Sequence, residues 1–196
     1  MKKRVISLVI ASFLALSQFP SFAESVNTAD TATEQVSRKV LFADDFSKGS
    51  DSWQVSSGRG FQVSDGKLTL NNTRDVGVVS EIVNKSMSVD NDEITFDMNI
   101  KDGSYAGIMF RIQDDQTAYK LRFYAGSGKV KLLKKVKGGS HVAVATADAD
   151  ITYSKDHRVS ITLVNNQITV DIDGKTVIDH KDDSISDGKI GFEGCN

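Results

Sequence analysis

The sequence predicts an all-β domain, built as a two-sheet antiparallel sandwich. Within residues 93–124, three stretches alternate apolar and polar residues with a period of two, which is the pattern of half-buried strands. From residue 38 onward, candidate strands recur about every ten residues without convincing helical periodicity. Because the turns between them are mostly short, we expect antiparallel pairing.

The three central stretches place apolar residues on one side of each strand and polar residues on the other. If these strands are neighbours, six outward side chains form one polar patch: Asp97, Asn99, Arg111, Lys120, Arg122 and Tyr124. Arg111 would anchor a ligand there, because a guanidinium group offers a planar fork of donors to sugar hydroxyls or carboxylates. A solvated face with ordinary cross-strand ion pairs, such as Asp97 with Arg111, explains the same pattern equally well.

The remaining strands are predicted from alternation and turn residues. We expect them at residues 40–46, 60–63, 67–71, 76–83, 129–136, 141–146, 158–164, 167–172, 176–179 and 189–192. Asp65-Gly66, Asn165-Asn166 and Asp173-Gly174 are typical of tight hairpin turns, because these residues tolerate positive φ. The predicted core consists of Phe42, Phe46, Leu68, Ile94, Phe96, Ile108, Phe110, Leu121, Phe123, Leu132, Ile161, Leu163, Ile168, Val170 and Ile190. We expect Trp53 to pack with this core rather than on a sugar ring.

The N-terminal residues indicate export. Residues 1–23 combine a basic start, a short apolar run and small residues before Ala23, which predicts a signal peptide. A membrane anchor is the alternative, although the apolar run is short for a spanning helix. Residues 24–37 are polar and aperiodic and are expected to form a disordered leader before a domain at 38–196. The predicted location is therefore secreted, either extracellular or periplasmic.

Charge and cysteine content narrow the classes of partner. Without residues 1–23 the chain has 21 basic and 26 acidic residues, a formal net charge of −5. This balance argues against nucleic acid, which needs a concentrated basic face. No second apolar run is long enough for a membrane span, so no membrane contact is expected after signal cleavage. The only cysteine is Cys195, which excludes an intramolecular disulfide. Oligomeric state is not indicated by these features.

Catalytic and metal-binding motifs are not evident in the sequence. It contains no G-x-S-x-G, H-E-x-x-H or P-loop pattern, and no E-x-D-x-x-E pattern of jelly-roll glycosidases. The three histidines, His141, His157 and His180, lack metal-ligand spacing. An enzyme is therefore less favoured than a binding module.

The order of motifs resembles a known family. The motifs are FADDF at 42–46, Trp53, EITFDMNI at 93–100, YAGIMFRIQDD at 105–115, YKLRFY at 119–124, HRVSITLVNNQITVDIDGKTVI at 157–178 and SDGKIGF at 186–192. Together they resemble the concanavalin A-like or laminin-G-like jelly roll of bacterial secreted proteins. They are similar to levan-binding-type carbohydrate-binding modules and to the 3-keto-disaccharide hydrolase domain.

The resemblance implies a ligand, a metal site and a boundary. Ligands of this fold commonly lie on the concave sheet, which favours a secreted, non-catalytic carbohydrate-binding module. A glycosidase or lyase using groove carboxylates, and a laminin-G-like protein-binding or adhesion domain, are the alternatives. Structural calcium near the first strand would involve Asp44 or Asp45, and the alternative, which is favoured, is that these are simple loop aspartates. Because the family pattern continues beyond SDGKIGF, the resemblance predicts either a missing final strand or a first strand that pairs differently.

Overall fold

The structure is a computed structural model that describes residues 40–58, 60–70, 79–113 and 117–195. The predicted signal peptide and leader lie outside the described residues. Within the described ranges the chain forms strands and turns, without a helix. No helix there is long and apolar enough to cross a membrane.

Thirteen strands are formed by the described residues. In chain order they are β1 (Trp53–Ser57), β2 (Phe61–Ser64), β3 (Lys67–Leu70), β4 (Val79–Val89), β5 (Glu93–Asn99), β6 (Tyr105–Ile112), β7 (Ala118–Tyr124), β8 (Lys129–Lys135), β9 (Val142–Asp148), β10 (Asp156–Val164), β11 (Gln167–Ile172), β12 (Lys175–Lys181) and β13 (Gly188–Cys195). A seven-stranded sheet has the order β1-β4-β13-β6-β7-β8-β9, and a four-stranded sheet has the order β12-β11-β10-β5. β2 and β3 form a separate hairpin. All strand pairings among the described residues are antiparallel, so the predicted fold class is confirmed.

The two larger sheets pack face to face around one hydrophobic core. Phe96 on β5 contacts both Phe123 on β7 and Phe192 on β13, with ring centroids 6.3 and 5.7 Å apart. Trp53 is buried at one end against Phe192, as predicted. The predicted core residues are buried, apart from Phe42 and Ile94, which are only partly buried against the core. Edge-to-face contacts of this kind add to the burial of the rings themselves.

The first predicted strand, at residues 40–46, does not form. The Asp44 carboxylate accepts the backbone N–H of Phe46, and the Asp45 carboxylate accepts that of Ser47. Phe46 also has a positive φ of 57°. Side chain-to-backbone bonds of this type compete with a strand ladder, so the two aspartates form a turn here. The missing final strand that the family pattern implies stays a prediction.

The predicted adjacency of the three central strands is wrong. β6 and β7 are neighbours in the larger sheet, but β5 lies at the edge of the smaller sheet and pairs with β10. The chain therefore crosses between sheets after β5. A period of two reports which side chains share a face of a strand, but it does not report which strands are paired.

The predicted outward orientation of Arg111 is also wrong, because a bulge interrupts β6. Met109 pairs with Gly191 and Ile112 pairs with Lys189, so two residues of β6 oppose one residue of β13. Arg111 adopts a φ of 52° within this bulge, and its side chain is fully buried. The extra residue shifts the alternation of inward and outward side chains along β6, so the Arg111 side chain turns away from solvent.

The guanidinium group of Arg111 connects three loops. It donates to the carbonyl oxygens of Ile185 at 2.9 Å, Asp90 at 2.8 Å and Asn165 at 3.2 Å. These carbonyls belong to the segments before β13, between β4 and β5, and between β10 and β11. Arg111 is therefore a structural residue that joins the larger sheet to turns of the smaller sheet.

Candidate functional site

The candidate site lies on the side of the seven-stranded sheet that faces away from the smaller sheet. We call this surface the large-sheet face. Three of the predicted ligand-binding residues, Lys120, Arg122 and Tyr124, lie on it, because their neighbours on β7 point into the core. Asp97 and Asn99 lie elsewhere.

A row of directly paired residues crosses the large-sheet face. In spatial order it contains Glu81, Glu193, Gly107, Arg122 and Lys131, on five adjacent strands. Gly107 matters because a Cβ atom there would lie 3.2 Å from Cγ of Glu193 and 2.8 Å from the carbonyl oxygen of Leu121. The absence of a side chain at Gly107 leaves room for Glu193 to extend across β6 to Arg122.

Glu193 is the centre of a buried ion-pair network. Its carboxylate accepts Nε of Arg122 at 2.6 Å and Nη2 of Arg122 at 3.2 Å, which is a bidentate arrangement. Lys120 donates to Glu193 at 3.2 Å and to Glu81 at 2.6 Å. Glu193 has no exposed surface, and the Lys120 side chain is 10% exposed. Two carboxylates directly opposite one another would repel, so Lys120 stabilises the pair by bridging them.

Two tyrosines flank the network. The guanidinium carbon of Arg122 lies 4.3 Å from the ring centroid of Tyr105, and the Tyr105 and Tyr124 rings are 5.6 Å apart. Lys131 lies over the Tyr124 ring at 5.1 Å. Cation–π contacts of this kind hold the charged groups in fixed positions on the sheet.

The electrostatic environment shifts several pKa values on this face. Burial raises the pKa of Tyr105 above its usual range, and the charge of Glu193 raises it further. Burial alone would lower the pKa of Arg122, but the hydrogen bond and charge of Glu193 raise it overall. Burial lowers the pKa of His141, and the charges of Lys120 and Arg122 lower it further. His141 is therefore held in its neutral form near neutral pH.

The other predicted patch residues are engaged on the smaller sheet. Arg158 on β10 donates to both carboxylate oxygens of Asp97, at 3.1 Å each. Asn99 donates to the Asp156 carboxylate at 2.6 Å. With Arg111 buried, the predicted six-residue patch divides into three separate places. The cross-strand ion pair expected for Asp97 does exist, but with Arg158 instead of Arg111.

The predicted calcium residues have local hydrogen-bond partners. Asp44 accepts Nε1 of Trp53 at 2.8 Å in addition to the backbone of Phe46, so both of its oxygens are engaged. Asp45 accepts the backbone N–H of Ser47. Among the described residues, no three His, Cys, Asp or Glu side chains lie close enough together to hold a metal ion. Calcium at Asp44 or Asp45 stays a prediction.

Sequence reasoning missed Glu81, Glu193 and His141. Glu193 follows the inward-facing Phe192, so its outward orientation was open to prediction from alternation. The pairing of Glu193 with Glu81 was not, because β4 and β13 are separated by about a hundred residues of chain and become neighbours only through the sheet order.

The chain is similar in fold to several solved structures. A carbohydrate-binding module, CBM66 from Bacillus subtilis, is 24% identical, with a TM-score of 0.63 over 74% of this chain and 88% of that one. A protein of unknown function with a galectin-like fold, also from Bacillus subtilis, is 14% identical, with a TM-score of 0.65 over 79% of this chain and 89% of that one. At these identities the similarity establishes the concanavalin A-like jelly-roll fold.

A glycan-degrading enzyme also shares this fold. A prokaryotic β-1,3-1,4-glucanase from a mouse hindgut metagenome is 14% identical, with a TM-score of 0.57 over 79% of this chain and 85% of that one. No curated protein sequence matches the chain. The model of the 3-keto-alpha-glucoside-1,2-lyase-like domain matches residues 38–195, which is most of the sequence. The chain therefore belongs to the family of 3-keto-alpha-glucoside-1,2-lyase-like domains.

Proposed function

We propose that this protein is an exported, non-catalytic carbohydrate-binding module whose ligand lies on the large-sheet face. The observation that carries the proposal is the fixed set of donors around Glu193. Arg122 has five N–H donors and commits two of them to Glu193, so others remain for sugar hydroxyls. Because Glu193 and Tyr105 hold the guanidinium group in place, little side-chain entropy would be lost on binding.

The aromatic residues suit the apolar faces of sugar rings. Tyr124 is partly exposed beside Arg122, and its hydroxyl adds a polar contact at the edge of the ring. A planar apolar surface next to charged donors matches the two kinds of surface that a sugar presents. The fold similarity to the Bacillus subtilis carbohydrate-binding module supports this class of ligand.

The state of the carboxylates favours binding over glycoside hydrolysis. A general acid or base must reach the proton that it transfers. Both oxygens of Glu193 accept hydrogen bonds from Arg122 and Lys120, and the residue has no exposed surface. Glu81 is paired with the same lysine. Neither carboxylate is directed at an open groove in the manner that hydrolysis requires.

A lyase is the second candidate, and His141 is the observation that favours it. Its lowered pKa keeps the imidazole neutral, and a neutral imidazole can accept a proton from carbon next to a carbonyl. The nearby cations Lys120 and Arg122 would stabilise the resulting oxyanion. The family description, which names a lyase of 3-keto-α-glucosides, is compatible with this chemistry.

A glycan array combined with a product assay tests the proposal. Binding without product supports the module, and release of the aglycone from a 3-keto-α-glucoside supports the lyase. No glycan signal, together with capture of a cell-surface protein, would support the laminin-G-like alternative and overturn the proposal. Export is tested by N-terminal sequencing of the mature protein, which should begin at Glu24.

Matched variants locate the ligand. Tyr124→Ala and Arg122→Gln should weaken glycan binding. Arg158→Gln should not, because Arg158 forms its arginine–carboxylate ion pair, which is more exposed than that of Arg122, on the smaller sheet. Thermal melting checks that each variant is folded. If all three variants bind glycan with the affinity of the wild type, the ligand lies away from the large-sheet face.

A further inference from the structure

Two lysines on the large-sheet face, Lys131 and Lys135, have no acidic partner among the residues that the structure describes. On β7 and β8, Lys120 and Arg122 are paired with glutamates, and Lys129 is paired with Asp148 at 2.5 Å. Lys131 and Lys135 form no ion pair within 4.0 Å among the described residues. Both are partly exposed. This part of the face therefore carries positive charge that no described carboxylate pairs with.

The positive charge is local and is not a consequence of overall composition. The whole chain has a formal net charge of −2. Lys131 also lies directly opposite Arg122, although like charges at paired positions are destabilising. An arrangement that costs stability in the free protein can be offset by a ligand of opposite charge.

The environment of His141 supports a positive potential at this place. Burial is the largest cause that lowers the pKa of His141. The charges of Lys120, Arg122 and Lys135 lower this pKa further, and the charge of Glu193 opposes them. Three cationic side chains and one carboxylate are thus the charged groups that shift the pKa of His141.

Protection of a sheet edge does not explain the lysines on β8. Lysine is often placed on edge strands to prevent aggregation. β8, however, is paired on both sides, with β7 and with β9. Lys131 and Lys135 are four residues apart on this strand, about 13 Å, so they would contact different residues of an oligosaccharide.

We propose that the carbohydrate bound on the large-sheet face is anionic, with carboxylate or sulfate groups placed at Lys131 and Lys135. This inference rests on the proposed function and specifies its ligand class. Tyr124, under Lys131, supplies the apolar surface, and the two lysines supply charge-assisted hydrogen bonds to the acidic substituents. Arg122 contributes its remaining donors to neutral hydroxyls.

Matched polysaccharides test the charge requirement. The purified protein is titrated with polygalacturonate and its methyl-esterified form, and with dextran sulfate and dextran. We expect at least about tenfold tighter binding to one charged member than to its neutral counterpart, weakened by added salt. The two pairs distinguish a carboxylate ligand from a sulfate ligand. Equal binding to charged and neutral members overturns the inference and leaves carbohydrate binding intact. Failure to bind any of these four polysaccharides overturns the inference alone, and failure to bind any glycan on the array overturns the proposed function as well.

Lysine variants test the placement of the charge. Lys131→Gln and Lys135→Gln should each weaken binding of the charged polysaccharide by about tenfold, since a hydrogen bond to a charged group is lost. Lys175→Gln is the control, because Lys175 is exposed on the smaller sheet and its substitution removes the same charge there. If all three variants bind equally, or if the control weakens binding as much as the others, the proposed placement is wrong. The melting temperature should be unchanged in Lys135→Gln and Lys175→Gln, and Lys131→Gln should raise it slightly, because a like charge opposite Arg122 is removed.

Discussion

Replacement of Arg111 by alanine should destabilise the domain strongly without affecting ligand affinity in the folded fraction. The variant removes three hydrogen bonds to buried or partly buried carbonyls and leaves a space in the core. A hydrogen bond to a charged group contributes about 1.5–3 kcal/mol, but the three bonds share one group and are not additive. We expect a loss of about 3–5 kcal/mol, at the upper end for single substitutions.

The assay is urea unfolding and thermal melting of wild type, Arg111→Ala, Arg111→Lys and Arg158→Ala. A loss of about 3–5 kcal/mol corresponds to a decrease in melting temperature of roughly 6–20 °C for a domain of this size. Arg158→Ala should lose only about 0–1 kcal/mol, because its pair with Asp97 is partly solvated. Arg111→Lys should recover only part of the stability, because an ammonium group cannot reach all three carbonyls as a guanidinium fork does.

The outcome distinguishes two orientations of the same side chain. If Arg111→Ala is as stable as wild type and binds glycan more weakly, the side chain faces solvent and the bulge in β6 is wrong. If it loses stability and the folded fraction binds normally, the arginine has the structural role described above.

Three further predictions concern the large-sheet face and the link between the sheets. Gly107→Ala should weaken ligand binding and lower stability, because its Cβ would displace the Glu193 side chain; calorimetric titration and melting measure both. Asp182→Asn should destabilise the protein at neutral pH. Burial alone would raise the pKa of the Asp182 carboxyl, but hydrogen bonds from Lys134 and Ser184 hold this pKa well below its usual range. A carboxyl with a depressed pKa stabilises above its unfolded value, so the difference from wild type should disappear as urea titrations are moved from neutral toward strongly acidic pH. Because the pKa of His141 is lowered in the folded state, wild-type stability should fall as the pH falls just below 6.5. His141→Gln should show a smaller loss of stability in this pH window. Parallel thermal melts in acetate and phosphate buffers test the sign of the difference.

The sequence by itself determined the fold class and most of the strands. Alternation of apolar and polar residues requires only that each strand has one buried face, so β7, β10 and β11 were predictable from local pattern. Turn residues such as Asn165 and Asp173 reported positive φ directly, because few other residues tolerate it. The outward orientation of Lys120, Arg122 and Tyr124 followed from the same periodicity.

Only the tertiary structure decided which of these side chains meet. The local pattern at 40–46 was overridden by hydrogen bonds from Asp44 and Asp45 to the backbone, and a one-residue bulge reversed Arg111. The pairing of Glu193 with Glu81 depends on the order of strands in the sheet, which is set by the packing of the whole core. Period-two alternation is a property of one strand, whereas a site on a sheet is a property of several, and the contacts between strands distant in sequence are not encoded in any one of them.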